Sequence, residues 1–281
     1  MNPKASILET LREYISNQKN FPVLHPDAAT IQDEITKKDP ELSRVKQLII
    51  KDPTLTGEIL KVANSSYYKG LGEVSTIKEA ALRLGQDELF NIVIQVILRK
   101  NFSSNTPMIK ERQDKLWAHC VATAFATLWL CRHLKLSDLI PKAFIAGLLH
   151  DIGKLCLLSA IEQFMTAEKD NAKLTPDLVE KILVNLHEKQ GFALLSAWHL
   201  PDIYCRIARD HHIDEYEESD TLLVVVRLAD MVCHKMDANN PQEDLTFIMG
   251  SRETDILGIK ETSIALLEIA MEDAGLAKPP S

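Results

Sequence analysis

The stretch from Ala146 to Leu155, AGLLHDIGKL, closes an apolar segment with a histidine and an aspartate, His150 and Asp151, and places Lys154 three residues further on. An imidazole offers a neutral nitrogen and a carboxylate an anionic oxygen, a mixture that suits zinc, iron, manganese or nickel better than calcium. Neighbours on a helix are about 100° apart, so both side chains can flank one point without sharing a face. The dipeptide is common and is weak evidence by itself. Four further segments, however, each set a histidine or aspartate on an apolar stripe. His119 lines up with Leu116, Ala122, Thr123 and Ala126, and His187 with Leu183, Val184, Gly191 and Leu194. His211 and His212 follow Ile207 and Ala208 by one turn, again toward the core, and Asp230 shares the stripe of Leu223 and Val226. Singly, each has an ordinary structural explanation, such as a hydrogen-bonded core histidine or an Asp230 that caps a helix or pairs with Arg227. Together, these seven groups do not readily satisfy one another without a cation. Five imidazoles and two carboxylates supply one or two octahedral divalent ions, and a two-metal site can activate water against a phosphoester. Lys154 and Asp151 are the candidates for chemistry. Lys154 either stabilises charge on a phosphate oxygen or is a solvent-facing lysine at a helix end.

The elements that must position these groups all read as helices. The 281 residues, 46% of them apolar, suffice for a large core formed without staples. Thr76 and Glu79 form a capping-box pattern for a helix ending at Leu84-Gly85, and Asp87 starts the next, through Arg99. Asp39-Pro40 and Asp52-Pro53 mark two earlier starts, with Leu55, Ile59, Leu60 and Ala63 turned inward after the second. Residues 1–20 read as an amphipathic helix, the prolines of Phe21 to Pro26 are expected to break it, and another helix is expected from near Asp27. The polar break Ser103 to Pro107 separates an N-terminal helical subdomain, 1–102, from a helical core with a C-terminal helix, 103–281. In that second half the expected helices are Ile109 to Leu134, one capped by Ser137 that runs to His150, one from Thr175-Pro176, one around Asp202, TLLVVVRLADMVCHK, and Glu261 to Ala274. The helices around Gly85 could suggest a helix-turn-helix, but Glu79, Asp87 and Glu88 on their outer faces favour packed core helices.

Lysine and arginine number 32 against 40 acidic residues, a net charge of -8 that argues against nucleic acid as partner. The apolar run Ile92 to Leu98 is too short to span a bilayer and the N-terminus lacks a signal-peptide core, so the expectation is a cytoplasmic protein with no membrane partner. Cys120, Cys131, Cys156, Cys205 and Cys233 are scattered singly and read as reduced core residues. His25, His133, His199 and His234 read as structural or surface residues.

His119, His150-Asp151 and Asp230, in that order on helices, resemble the H…HD…D signature of the HD superfamily of metal-dependent phosphohydrolases, and His187 with His211-His212 resembles the added ligands of its HD-GYP branch. A closer and more extensive resemblance is to the HDOD family, the HD-related output domain of bacterial signalling proteins. It is carried by FPVLHPDAATI, KDPTLTGEILKVANSSYY, STIKEAALRLG, LWAHCVATA, AGLLHDIGKL and HEKQGFALLSAWHLP through ARDHH. The resemblance implies an all-α fold, an N-terminal helical part packed on an HD-like core, and a regulatory output module acting through a signalling partner or a nucleotide. Many members have lost their ligands, whereas this chain keeps the whole His and Asp set. His212 is followed by IDEYEESD in place of Gly-Tyr-Pro, which weighs against cyclic di-GMP hydrolysis. The second expectation is a metal-dependent phosphohydrolase or phosphodiesterase acting on a nucleotide or cyclic dinucleotide; whether the chain is an enzyme stays open.

Overall fold

The computed structural model describes residues 49, 53–68, 72–167, 174–236 and 244–276. The expected helix over 1–20, the break at Phe21, the helix near Asp27, the Asp39-Pro40 start and the chain's last residues lie outside the described residues. Among those described there are twelve helices and no strand, so the protein is all-α. In chain order they are α1 (Pro53–Ala63), α2 (Ile77–Leu84), α3 (Gln86–Lys100), α4 (Pro107–His133), α5 (Ile140–Leu149) and α6 (Ile152–Ala167). They continue with α7 (Pro176–Ala197), α8 (Asp202–Asp210), α9 (Thr221–Met236), α10 (Leu245–Met249), α11 (Arg252–Leu257) and α12 (Glu261–Asp273).

Local signals set most of these boundaries. Pro53, Pro107 and Pro176 each occupy the first turn of a helix, where a missing N–H costs nothing. The capping box closes as expected: Thr76 Oγ1 accepts from the Glu79 N–H at 3.2 Å, and the Thr76 N–H donates to Glu79 Oε2 at 3.3 Å. Gly85, at φ +80°, then turns α2 into α3 in a conformation that disfavours other residues. Ser137 does not cap α5, which begins at Ile140 behind Leu139 with no side-chain cap and Pro141 in its first turn. α10 and α11, capped by Asp244 and Ser251, are five and six residues long, too short for a periodic pattern to announce them.

The 27-residue α4 is the axis of the fold. It packs against α5, α6, α9 and α12, while α6 lies along α7 and α7 against α8. One apolar core runs from Ile49 through Met271, and a smaller one lies between the start of α4, α6 and α7. Two glycines set the closest approaches. A Cβ on Gly147 would lie 2.7 Å from Ala124 Cα, and one on Gly153 would lie 1.9 Å from the His187 carbonyl oxygen. Absence of a side chain at these positions lets α5 close on α4 and α6 on α7. His150 and Asp151 occupy the break between α5 and α6, so the two contacts together carry the pair to His119 and His187.

The break also explains a hydropathy pattern that the run Ile92 to Leu98 did not foreshadow. Ile140–Ala167 contains an 18-residue window of mean hydropathy 1.6, long and apolar enough to cross a bilayer, yet 89% of that window is buried in the protein. Here the apolar run is the wall around a polar centre.

Candidate metal centre

All eight residues singled out for chemistry converge. Asp151 is their hub, with 1% of its surface exposed. Its Oδ1 lies 3.5 Å from His187 Nε2 and 3.4 Å from His211 Nε2. Its Oδ2 lies 3.6 Å from His150 Nε2, 3.8 Å from His119 Nε2 and 2.6 Å from Lys154 Nζ. Asp230, from α9, closes the other side, with Oδ1 at 3.0 Å from His119 Nε2 and 3.4 Å from His150 Nε2. The donor atoms thus form two groups, Asp151 with His187, His211 and His212, and His119 with His150 and Asp230, each within 4.8 Å internally.

Backbone carbonyls settle which imidazole nitrogens face inward. His150 Nδ1 contacts the Gly147 carbonyl at 2.7 Å, His187 Nδ1 the Leu183 carbonyl at 2.9 Å, and His211 Nδ1 the Ile207 carbonyl at 3.1 Å. A carbonyl only accepts, so each Nδ1 carries a proton and each neutral ring turns the Nε2 lone pair toward the carboxylates. Asp151 Oδ1, Asp230 Oδ1, His187 Nε2 and His211 Nε2 are buried without a hydrogen-bond partner in the protein. Lone pairs of neutral rings and anionic oxygens facing one another at 3.4–3.5 Å repel unless a metal ion, a proton or a water lies between them. The donor set therefore fits divalent metal, with borderline nitrogen and oxygen ligands of the kind iron, manganese, nickel or zinc accept.

Burial pushes the Asp151 carboxyl up, but Lys154, with His150 and His211 in their protonated forms, outweighs it and holds the group well below the usual carboxylate range. Asp230 is likewise held low by His234, His119 and His150 against its burial. Burial pushes His187 down to about 4 and lowers His119 as well, so both rings favour the neutral form a metal requires. For His150, Asp151 and Asp230 overcome burial and raise the value. Lys154 is raised by Asp151, again against burial, and is a paired side chain at the rim of the site, not a freely solvated lysine.

Four sequence expectations need correction. His212 is exposed at the mouth of the centre because α8 ends at Asp210 and the helical period does not extend to it. Val184, placed on the stripe of His187, is 57% exposed. Arg227 does not pair with Asp230: it donates to the carbonyls of His211 and Ile213 at 2.8 and 2.9 Å and bonds Glu253 on α11, holding the chain just past His211. His234 is no bystander, since its ring stacks on His119 at 4.8 Å and its Nε2 lies 3.8 Å from Asp230 Oδ1. Its spacing of four residues from Asp230 on one helix was the signal that could have found it.

Residues 21–213 match the HDOD domain. The chain belongs to the HDOD family. An uncharacterized protein of Treponema pallidum (strain Nichols) is 27% identical over 232 residues, which make up 80% of this HDOD chain and 44% of that protein. The chain thus spans less than half the length of the curated relative it matches. Among solved structures, an HDOD domain protein of unknown function from Geobacter sulfurreducens superimposes with a TM-score of 0.68 at 21% identity, covering 97% of each chain. A candidate metal-dependent phosphohydrolase from Shewanella amazonensis SB2B gives a TM-score of 0.71 at 18% identity, covering 99% of this chain and 100% of its own. A candidate signal transduction protein from Marinobacter aquaeolei VT8 gives 0.64 at 17%, covering 97% of this chain and 64% of its own. At these identities the likeness is one of HDOD fold.

Proposed function

We propose that this HDOD protein is a signalling output module whose His/Asp centre holds one or two divalent metal ions and whose regulatory state is read by a partner protein or set by a nucleotide. The observation that carries the metal is Asp151, one buried carboxylate whose two oxygens face two different groups of imidazoles. In this reading His187, His211 and His212 hold metal on one side, and His119, His150 and Asp230 on the other, with Asp151 between them. The family, and a structural relative named for signal transduction, support the regulatory role. Elemental analysis of untagged protein purified without chelator should find one or two equivalents of iron, manganese, nickel or zinc that vanish in a His150→Ala, Asp151→Ala double variant. No metal in either protein would defeat the metal reading. Recovery of a partner from native lysate that depends on metal would support the regulatory one, and recovery of none with or without chelator would count against it.

One observation favours a second reading, hydrolysis of a phosphoester. Lys154 is 17% exposed beside the buried Asp151, where an ammonium can reach both the centre and a ligand at its mouth. A bound divalent ion there would supply a polarised phosphoester oxygen and a more acidic water. Lys154 would hold the phosphate, Asp151 and Asp230 would stay anionic, and the neutral histidines would keep their Nε2 atoms inward. A nucleotide panel assayed with the metal-loaded protein tests this, and turnover unchanged in His150→Ala would rule it out.

A further inference from the structure

A cavity of about 470 Å³ that shares no lining residue with the His/Asp centre lies between α1, α3, the α4–α5 pair and the end of α12. Its volume falls in the range of small-molecule sites. Phe125, Phe144 and Ile92 form an apolar wall, while Glu88, Tyr68 and Ser65 bring polar atoms to it. Glu88 is only 6% exposed, although its position in the sequence suggested an outer face. Its Oε2, the Tyr68 hydroxyl and Ser65 Oγ are buried; Tyr68 and Glu88 face each other and Arg132 lies 3.6 Å from Glu88 Oε2, but none of the three atoms completes a well-formed hydrogen bond. Such groups are costly unless something else meets them.

Charge narrows the choice of ligand. Glu58, Glu88, Glu272 and Asp273 border the cavity against a single lysine, Lys61, which lies 3.8 Å from Glu58. The C-terminus of the 13-residue α12 also meets the cavity; its last carbonyls accept from the Ala274, Leu276, Gly275 and Tyr67 N–H groups, so the helix contributes only its dipole there. Arg132 approaches Glu88 Oε2 at 3.6 Å from outside the lining and offsets part of that charge. Burial pushes the Glu88 carboxyl up in spite of Arg132, so a second cation beside it would be welcome.

We infer that this cavity binds a small organic cation with an aromatic or apolar body, its charged end at Glu88 and its body against Phe125 and Phe144. One ligand would then touch two of the elements that lead to the metal centre, because Phe125 follows His119 on α4 and Phe144 on α5 precedes His150 at the α5–α6 break, by six residues each. The site does not depend on whether the centre hydrolyses anything.

Three probes with one ring system and different charge test the inference by isothermal titration of the full chain: tryptamine, tryptophol and indole-3-propionate. Tryptamine should bind about tenfold more tightly than indole-3-propionate, a gap set by charge alone. Glu88→Gln should cut that gap to about threefold or less while leaving tryptophol unchanged. Val62→Phe, which fills the cavity from α1, should abolish binding of all three in a protein that still melts cooperatively. Indole-3-propionate binding as tightly as tryptamine, indifference to both variants, or no binding of any probe at roughly 5 mM would each overturn the assignment.

Discussion

Asp151 is an anion with 1% of its surface exposed, and its ion pair with Lys154 at 2.6 Å is what makes that tolerable without metal. Removing one partner of a buried pair leaves the other uncompensated. Lys154→Met should therefore destabilise the metal-free protein by roughly 2–4 kcal/mol in urea unfolding, and by much less with saturating divalent ion, because a cation then faces the carboxylate. His187 makes a pH prediction. Its value falls from 6.5 in the unfolded chain to about 4 in the folded one, so between these limits the unfolded state binds more protons. The stability this neutral ring contributes is complete above pH 6.5 and is lost as pH falls toward 4, on the order of 3 kcal/mol in all. The depressed carboxylates of Asp151 and Asp230 add loss in the same direction at lower pH. His150, with a raised value, works the other way, its share being lost as pH rises. Metal-free His187→Gln should accordingly show a flatter stability curve than the parent between pH 4 and 6.5 in chemical denaturation.

At the scale of elements, the centre depends on how closely α6 approaches α7. Gly153→Ala puts a Cβ against backbone, 1.9 Å from the His187 carbonyl, and no side-chain rotation relieves it. We expect a loss of about 3 kcal/mol or more, together with weakened metal binding, since Asp151 and His187 separate. Gly57, inside α1 with nothing within 4 Å of a built Cβ, is the control. Gly57→Ala should stabilise by roughly 0.5–1 kcal/mol, the ordinary helix-interior difference. Arg227 joins three segments through the His211 and Ile213 carbonyls and Glu253. Lysine cannot reproduce that fork, so Arg227→Lys should lower the melting temperature and weaken metal affinity through His211.

For the whole molecule, the proposed donors come from α4, the α5–α6 break, α7, the end of α8 and α9, so a metal held by them would bind only the assembled fold. Binding should then stabilise the entire cooperative unit. At a hundredfold excess over Kd the gain is about 2.7 kcal/mol, a rise of roughly 5 °C in Tm by calorimetry, absent in the His150→Ala, Asp151→Ala double variant. A metal effect confined to the unfolding of one helix would contradict a centre shared by five segments.

Much of this was legible in the sequence because it is local. Helical period marked His119, His150, His187, His211 and Asp230 as inward, and the Thr76–Glu79 box set the start of α2 without help from the rest of the chain. His212 shows the limit of that reasoning, because period predicts a face only while the helix continues, and α8 ends first. The tertiary structure alone decided which inward groups meet. His119 and His150 come to 3.3 Å across 31 residues of sequence, and a stripe says that a side chain is buried but not against what. The same reason hid the role of His234, the diversion of Arg227 from Asp230 to Glu253 across 26 residues, and the turning of Glu88 into a cavity built from α1, α3, α4, α5 and α12. Side-chain chemistry and backbone period act over one or two turns, so the sequence by itself determined the donors and most of the helices, though not the separate α6 or the short α10 and α11; the packing of α5 on α4 and α6 on α7, set by two glycines, decided that those donors form one centre around Asp151.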